Sequence, residues 1–268
     1  MKRILAVVLM AVMLVGMLAT SQTVYAENDD STLIVGFDAE FPPYGYRDDN
    51  GEYVGFDLDL AQEVCNRRGW TLVKQPIDWD AKDMELSSGS IDCIWNGFTI
   101  NGREDQYTWS VPYVDNSQVF VVAEGSGIAT KSDLAGKIVG VQKDSAALAA
   151  LEDEEKQENL DLAASFADMV QYADYNTGFM DLESGAIDAL AMDIGVAAYQ
   201  IGQREGGYVI LEEELALEQY GVGFLKGNDD LKNQVEETLM EMVEDGTFME
   251  IAEKYSDFGL VESVCLGK

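Results

Sequence analysis

The chain carries the same pair of signals twice, in the same order. Ile34-Val35-Gly36 is followed downstream by Ser88-Gly89-Ser90-Ile91-Asp92, and Ile138-Val139-Gly140 is followed at a similar separation by Ser184-Gly185-Ala186-Ile187-Asp188. In each copy an apolar strand opens a unit, and a helix that stops at a glycine leads into a second strand, since glycine tolerates the left-handed conformation that ends a helix. Two α/β lobes are predicted. Open parallel sheets hold ligands at the C-terminal ends of their strands, so two such lobes facing one another imply a cleft.

The N-terminus reads as an export signal. Met1-Lys2-Arg3 is a basic head, Ile4 to Leu18 is an apolar run broken only by Gly16, and Val24-Tyr25-Ala26 is a small-residue cleavage site. A membrane anchor is disfavoured, because the run is short for a span and ends in the polar Thr20-Ser21-Gln22-Thr23. No cysteine follows the run where a lipid would be attached. Residues 1–26 are therefore expected to be removed, and the mature chain to be periplasmic or extracellular.

Charge excludes whole classes of partner. With 17 basic against 50 acidic residues the net charge is −33, which disfavours nucleic acid and anionic membrane surfaces. The 47% apolar content still supports a packed core. The densest acidic run, Glu152-Asp153-Glu154-Glu155, is expected on an exposed helix or loop. There is no histidine, and Cys65, Cys93 and Cys265 are too few and too scattered for a zinc site or a disulfide framework. Cys65 and Cys93 read as small core thiols, with a bridge between them left open. Asp48-Asp49-Asn50-Gly51 reads as a hairpin turn whose faint likeness to a calcium loop lacks the later ligands. No metal and no cofactor are expected.

Along the chain, the strand Leu33 to Phe37 runs into Asp38-Ala39-Glu40-Phe41-Pro42-Pro43-Tyr44, where two prolines forbid helix and central strand and leave a stiff loop. A helix over Phe56 to Arg68, a strand from Trp70 to Gln75, a helix from Trp79 to Leu86 and a strand from Ile91 to Trp95 follow. The first crossing between lobes is expected by Gly125-Ser126-Gly127, and the return near Glu218 to Phe224 leads to terminal helices over Leu231 to Lys254. Lobe 1 is thus expected to be discontinuous, 27–119 and 218–268, with lobe 2 over 120–217.

The repeat also points to a ligand. Asn96, Gly97 and Thr99 lie at the end of the first copy's return strand with Arg103 close behind, and at the offset of Gly97 the second copy has Asp193. Asp144-Ser145-Ala146-Ala147 follows the strand Lys137 to Val141, where a helix begins and free amide N–H groups favour anions. A molecule touching all of these carries a carboxylate and an ammonium a short distance apart, and an α-amino acid is the smallest common one. Arg103 would fork onto the carboxylate and Asp193 would take the ammonium, with Phe41 and Tyr44 walling in the side chain. Plainer readings stand beside these: Arg103 as a surface residue, Asp193 as a helix cap, Phe41 as core.

At these residues the chain resembles the extracytoplasmic solute-binding proteins of polar amino-acid ABC transporters. The likeness runs through Val35 to Tyr44, Gly55 to Ala61, Gly89 to Asp92, Gly136 to Val141 and Ala186 to Ala189, nearly the whole mature chain. It implies an α/β fold of the type II periplasmic binding protein kind, two Rossmann-like lobes on a two-strand hinge, closing on an L-amino acid and serving permease subunits as a monomer. It implies that Arg103, Thr99 and the Ala146 amide beside Ser145 hold the carboxylate, that Asp193 and the Gly97 carbonyl hold the ammonium, and that Phe41 packs on the ligand. Asp38, directly after the first strand, would face the ligand side chain and favour N–H donors as in glutamine, arginine or lysine. Two departures stand out. Arg103 follows Thr99 by four residues where the family usually has five, and Asp144 occupies a place usually held by glycine.

Two other functions compete. A few proteins resembling this family are secreted dehydratases, for which Asp38 and Glu40 would be the only acids, without a partner base. A receptor's sensor module would need a later membrane span, and no later stretch is apolar enough.

Overall fold

The repeated motif is a packing device. The Asp92 carboxylate accepts from the Ile34 amide at 2.7 Å while the Asp92 amide donates to the Ile34 carbonyl at 2.8 Å. Asp188 makes the same pair of bonds with Ile138, both at 2.8 Å. Gly89 and Gly185 end the preceding helices in the left-handed conformation, at φ 78° and 73°. Each isoleucine of the motif then fills the space above a strand glycine: a Cβ on Gly36 would lie 2.4 Å from Ile91 Cδ1, and one on Gly140 2.6 Å from Ile187 Cδ1. One carboxylate, one cap and one Ile–Gly contact tie strand, helix and return strand together in both lobes.

The computed structural model describes residues 31–268, so the expected signal peptide lies outside the described residues. In chain order the first lobe supplies β1 (Thr32–Phe37), β2 (Glu40–Phe41), β3 (Gly45–Arg47), β4 (Tyr53–Val54), α1 (Phe56–Arg68), β5 (Thr71–Pro76), α2 (Lys82–Ser88), β6 (Cys93–Ile94) and β7 (Thr108–Trp109). Next come β8 (Val114–Ala123), β9 (Ile138–Gln142), α3 (Ala146–Leu151), α4 (Gln157–Ser165), β10 (Asp168–Tyr172) and α5 (Tyr175–Ser184). β11 (Ala189–Asp193), α6 (Ile194–Gly202), β12 (Tyr208–Ile210) and β13 (Ala216–Tyr220) complete the second lobe. The chain returns through β14 (Gly223–Phe224), α7 (Asp229–Asp245), α8 (Thr247–Glu253) and α9 (Leu260–Ser263).

Two main sheets result, ordered β5-β1-β6-β14-β7 and β10-β9-β11-β8-β12, with β13 paired on β8. β1 runs parallel to β5 and β6, and β9 runs parallel to β10 and β11, so both lobes have the α/β arrangement the repeat predicts. The apolar positions of α1, from Phe56 and Leu58 to Val64 and Cys65, are buried. Arg68 at its end reaches α7, donating to Thr238 at 2.6 Å and pairing with Glu237 at 2.7 Å, which fastens the returning chain to the first lobe.

The first half of β8 pairs antiparallel with β13, Asn116 opposite Glu218, while its second half pairs with β11 and β12. These two strands form the hinge. Gly125-Ser126-Gly127 is accordingly a turn beyond the crossing and not the crossing itself, because the ten-residue β8 is already paired within the second sheet before it reaches those glycines. Other expectations shift only locally. The 79–86 helix begins as a 3-10 turn over Trp79–Ala81, and the return strand is shorter, Cys93–Ile94. Glu152 to Glu155 lie in the largely exposed link between α3 and α4. Cys65 and Cys93 are free, buried thiols. The Asp48 carboxylate accepts from the amides of Asn50 and Glu52 at 2.9 and 2.8 Å, shaping the turn between β3 and β4. Among the described residues no helix is long and apolar enough to cross a membrane.

Candidate ligand-binding site

The ends of β1, β6, β9 and β11 meet where the lobes face each other. The segment expected as a stiff loop begins with the short strand β2, paired to β3; Phe41 ends it and Tyr44 follows the two prolines, with ring centroids 5.7 Å apart, while Phe41 lies 5.9 Å from Tyr175 of α5 and Tyr44 stands edge-on to Tyr220 of β13 at 5.2 Å. This aromatic wall needs Gly97. A Cβ there would lie 2.8 Å from Phe41 Cε1 and 3.1 Å from Tyr220 Cε2, and its φ of 55° suits glycine.

Behind the wall, Asp57 accepts from the Gly97 amide at 2.5 Å and the Tyr113 hydroxyl at 2.9 Å. Burial pushes its carboxyl up to about 7, against these bonds. Holding the amide from behind anchors the backbone at Gly97, whose own carbonyl the resemblance assigns to an ammonium. Asn96 Oδ1 accepts from the Asp38 amide at 2.9 Å, tying the two strand ends together. Thr99 is buried and its backbone bridges to Tyr220.

The anion side lies across the cleft. Arg103 is half-buried, stacks over Phe98 at 5.3 Å, and donates to the Thr99 carbonyl at 3.4 Å and to the Asp144 carbonyl of the other lobe at 3.2 Å. The four-residue spacing therefore still delivers the guanidinium to the residue just before Ser145. Ser145 caps α3, its hydroxyl accepting from the Leu148 amide at 3.1 Å, and Ala146 opens that helix with an amide that has no intrahelical acceptor. Asp144 adopts the left-handed conformation at φ 53°. Its carboxylate turns to the ammonium of the buried Lys82 in the first lobe, while its carbonyl also accepts from Trp79 Nε1 at 3.2 Å. The negative charge that Asp144 brings to a place usually held by glycine is thus matched by a lysine.

Asp193 is buried and collects four donors: Tyr220 at 2.5 Å, Gln118 at 2.7 Å, Tyr175 at 3.0 Å and Asn116 at 3.1 Å. It stands at the N-cap position of α6 without a side-chain capping bond. Burial raises its carboxyl above the usual range. Asp38 sits at a third corner, accepting from the Glu40 amide at 2.8 Å and from Gln142 of the other lobe at 2.7 Å, and burial pushes it up to about 6. It lines a cavity of about 610 Å³ edged by Glu40, Asp78, Asp80, Asp174 and Lys143. A second cavity, about 1030 Å³, reaches Ala146 and Glu218 from the opposite side.

All ten residues singled out in the sequence fall at this seam. Gln142, Tyr175, Tyr220, Asn116, Gln118, Glu218 and Lys82 join them without having been picked out. Gln142 had a signal: it follows Gly140 by two residues as Asp38 follows Gly36, and the two repeat-equivalent side chains bond across the cleft.

Comparison with known proteins gives the family and agrees with the two-lobed fold. The model of the bacterial extracellular solute-binding proteins, family 3, matches residues 33–259. The chain is similar to the L-cystine-binding protein TcyJ of Escherichia coli, with 30% identity over 255 residues, 94% of this chain and 92% of that one. It is 31% identical to the histidine-binding periplasmic protein of Salmonella typhimurium over 84% of this chain and 87% of that one. Among solved structures it resembles an ABC uptake transporter substrate-binding protein from Streptococcus pneumoniae with bound histidine, at TM-score 0.79 and 34% identity over 84% and 92% of the two chains. An ancestral arginine-binding protein bound to arginine gives TM-score 0.76 and 36% identity over 84% and 98%.

Proposed function

The chain belongs to the family 3 bacterial extracellular solute-binding proteins, and from that premise we propose that it captures an L-α-amino acid between its lobes and delivers it to the permease of an ABC uptake system. The observation that carries this reading is the pairing of opposite charges across one cleft: the Arg103 guanidinium beside the start of α3, and the buried Asp193 carboxylate at the end of β11. An α-carboxylate takes the first and an α-ammonium the second, with Thr99, the Ala146 amide and the Gly97 carbonyl completing the two ends.

The side chain of the ligand then points past Phe41 toward Asp38 and the acid-edged cavity, which favours a cationic or amide-bearing side chain and penalises an aliphatic one. The site binds and releases without chemistry, the protein works as a monomer outside the cytoplasm, and the lobe borders fall inside the hinge strands at 119/120 and 217/218. A thermal-shift screen of the mature protein against the twenty L-amino acids tests this, since a ligand that binds the folded state raises its apparent stability. Several polar or cationic amino acids should raise Tm, and leucine and valine should not. An unchanged Tm throughout would defeat the reading.

A further inference from the structure

Asp193 and Glu218 are two buried carboxylates served by the same two amides. Asn116 Nδ2 donates to Asp193 Oδ1 at 3.1 Å and to Glu218 Oε1 at 2.6 Å, and Gln118 Nε2 donates to the same two oxygens at 2.7 and 2.8 Å. Two oxygens that share both nitrogens are near neighbours. All four side chains stand on β8, β11 and β13 of one sheet, so the cluster is held by strand pairing at the hinge. The other groups facing it are the hydroxyls of Tyr44, Tyr175 and Tyr220, which burial holds well above their ordinary range and therefore uncharged. Among the described residues no lysine or arginine pairs with either carboxylate.

Two adjacent buried carboxylates cannot both carry charge without a cation beside them. Either a proton or a bound cation must supply it. Glu218 also borders the larger cavity, which Ala146 lines as well, so the pair is open to a small cation.

We propose that Asp193 and Glu218 together form the pocket for the ligand's α-ammonium, and that the ammonium replaces a proton which the pair shares in the unliganded protein. This rests on the amino-acid-binding reading and adds to it a second binding carboxylate, on the hinge, and a proton exchange. The balance is simple. The singly protonated pair plus an ammonium becomes a doubly charged pair holding that ammonium, and one proton leaves to solvent. Burial and the neighbouring Asp193 push the Glu218 carboxyl up to about 8. Below that pH the pair holds its proton and the ligand must expel it, so affinity climbs as pH rises and levels off above it.

The test is titration calorimetry of the mature protein with L-arginine, L-histidine, L-glutamine and L-cystine near neutral pH, in two buffers of different ionisation enthalpy. The wild-type protein should release roughly one proton per ligand, and its affinity should rise toward tenfold per pH unit between about pH 6 and 7.5. Glu218→Gln should still bind, through Asp193, but with proton release near zero and a flat pH profile. Asp193→Asn reports the same loss of release should Glu218→Gln not fold. Wild-type binding without buffer-dependent heat, or undiminished release from the variants, overturns the shared-proton pocket while leaving amino-acid binding intact. Failure of all four probes to bind would sink both.

Discussion

Lys82 is the sharpest place to perturb the closed cleft. It is buried in the first lobe and its ammonium meets the Asp144 carboxylate of the second, so the pair exists only when the lobes are together. Two unit charges in contact are worth about 4 kcal/mol at an effective dielectric of about 20. Water screens part of this, because the Asp144 side chain is 49% exposed, and fixing a lysine costs side-chain entropy. The net is about 1–2 kcal/mol, or roughly 5- to 30-fold in affinity. Lys82→Met removes the interlobe pair and frees the Asp144 carboxylate to compete with the ligand for Arg103, and Asp144→Gly leaves a buried ammonium without its partner, so each alone should weaken binding by that amount. Glycine also accepts the left-handed backbone at 144, so the second change adds no strain. The double variant removes both charges and should recover much of the loss. A double-mutant cycle by calorimetry reads the coupling, and denaturation without ligand should move little. Additive losses, or no loss from Lys82→Met, would refute the idea that this pair holds the closed state.

Arg103→Ala should weaken binding by roughly 2–5 kcal/mol with the fold intact, because a buried ligand carboxylate loses its charged partner; calorimetry and a melting curve check the two halves of that statement. Gly140→Ala should cost about 1–3 kcal/mol of unfolding free energy by overpacking against Ile187 Cδ1, and Ile187→Val, which removes that atom, should restore part of it in a denaturant titration. Ligand should close the lobes about β8 and β13, the kind of hinge motion generally attributed to periplasmic binding proteins, and lower the radius of gyration seen by small-angle scattering.

Much of the fold was legible because the repeat is local chemistry. A helix-ending glycine, an isoleucine over a strand glycine and an aspartate returning to the strand backbone each leave a mark within a few residues, and the marks recur. The residues of the candidate site that the sequence singled out follow those marks closely, as with Gly97, Asp193 and Arg103, and the structure brings them to the seam between the lobes. The rest was not, because it depends on approach between distant segments. Lys82 and Asp144 are 62 residues apart and meet across the cleft; nothing near either one signals the other. Glu218 reads as one more acid in a chain of fifty until pairing with β8 sets it opposite Asn116. Alternation along β8 marks Asn116 and Gln118 as same-face residues, but only the fold says that this face is buried. The misread crossing at Gly125 has a similar origin, since glycines mark a turn without saying which side of a hinge it is on.

The most direct measurement is a crystal structure of the mature protein with whichever amino acid gives the largest thermal shift. The account predicts one molecule between the lobes, its carboxylate on Arg103 and the Ala146 amide, its ammonium against Asp193 and the Gly97 carbonyl, and its side chain running past Phe41 toward Asp38. An amino acid bound outside the cleft, or bound within it with its ammonium at Arg103's end, would contradict it.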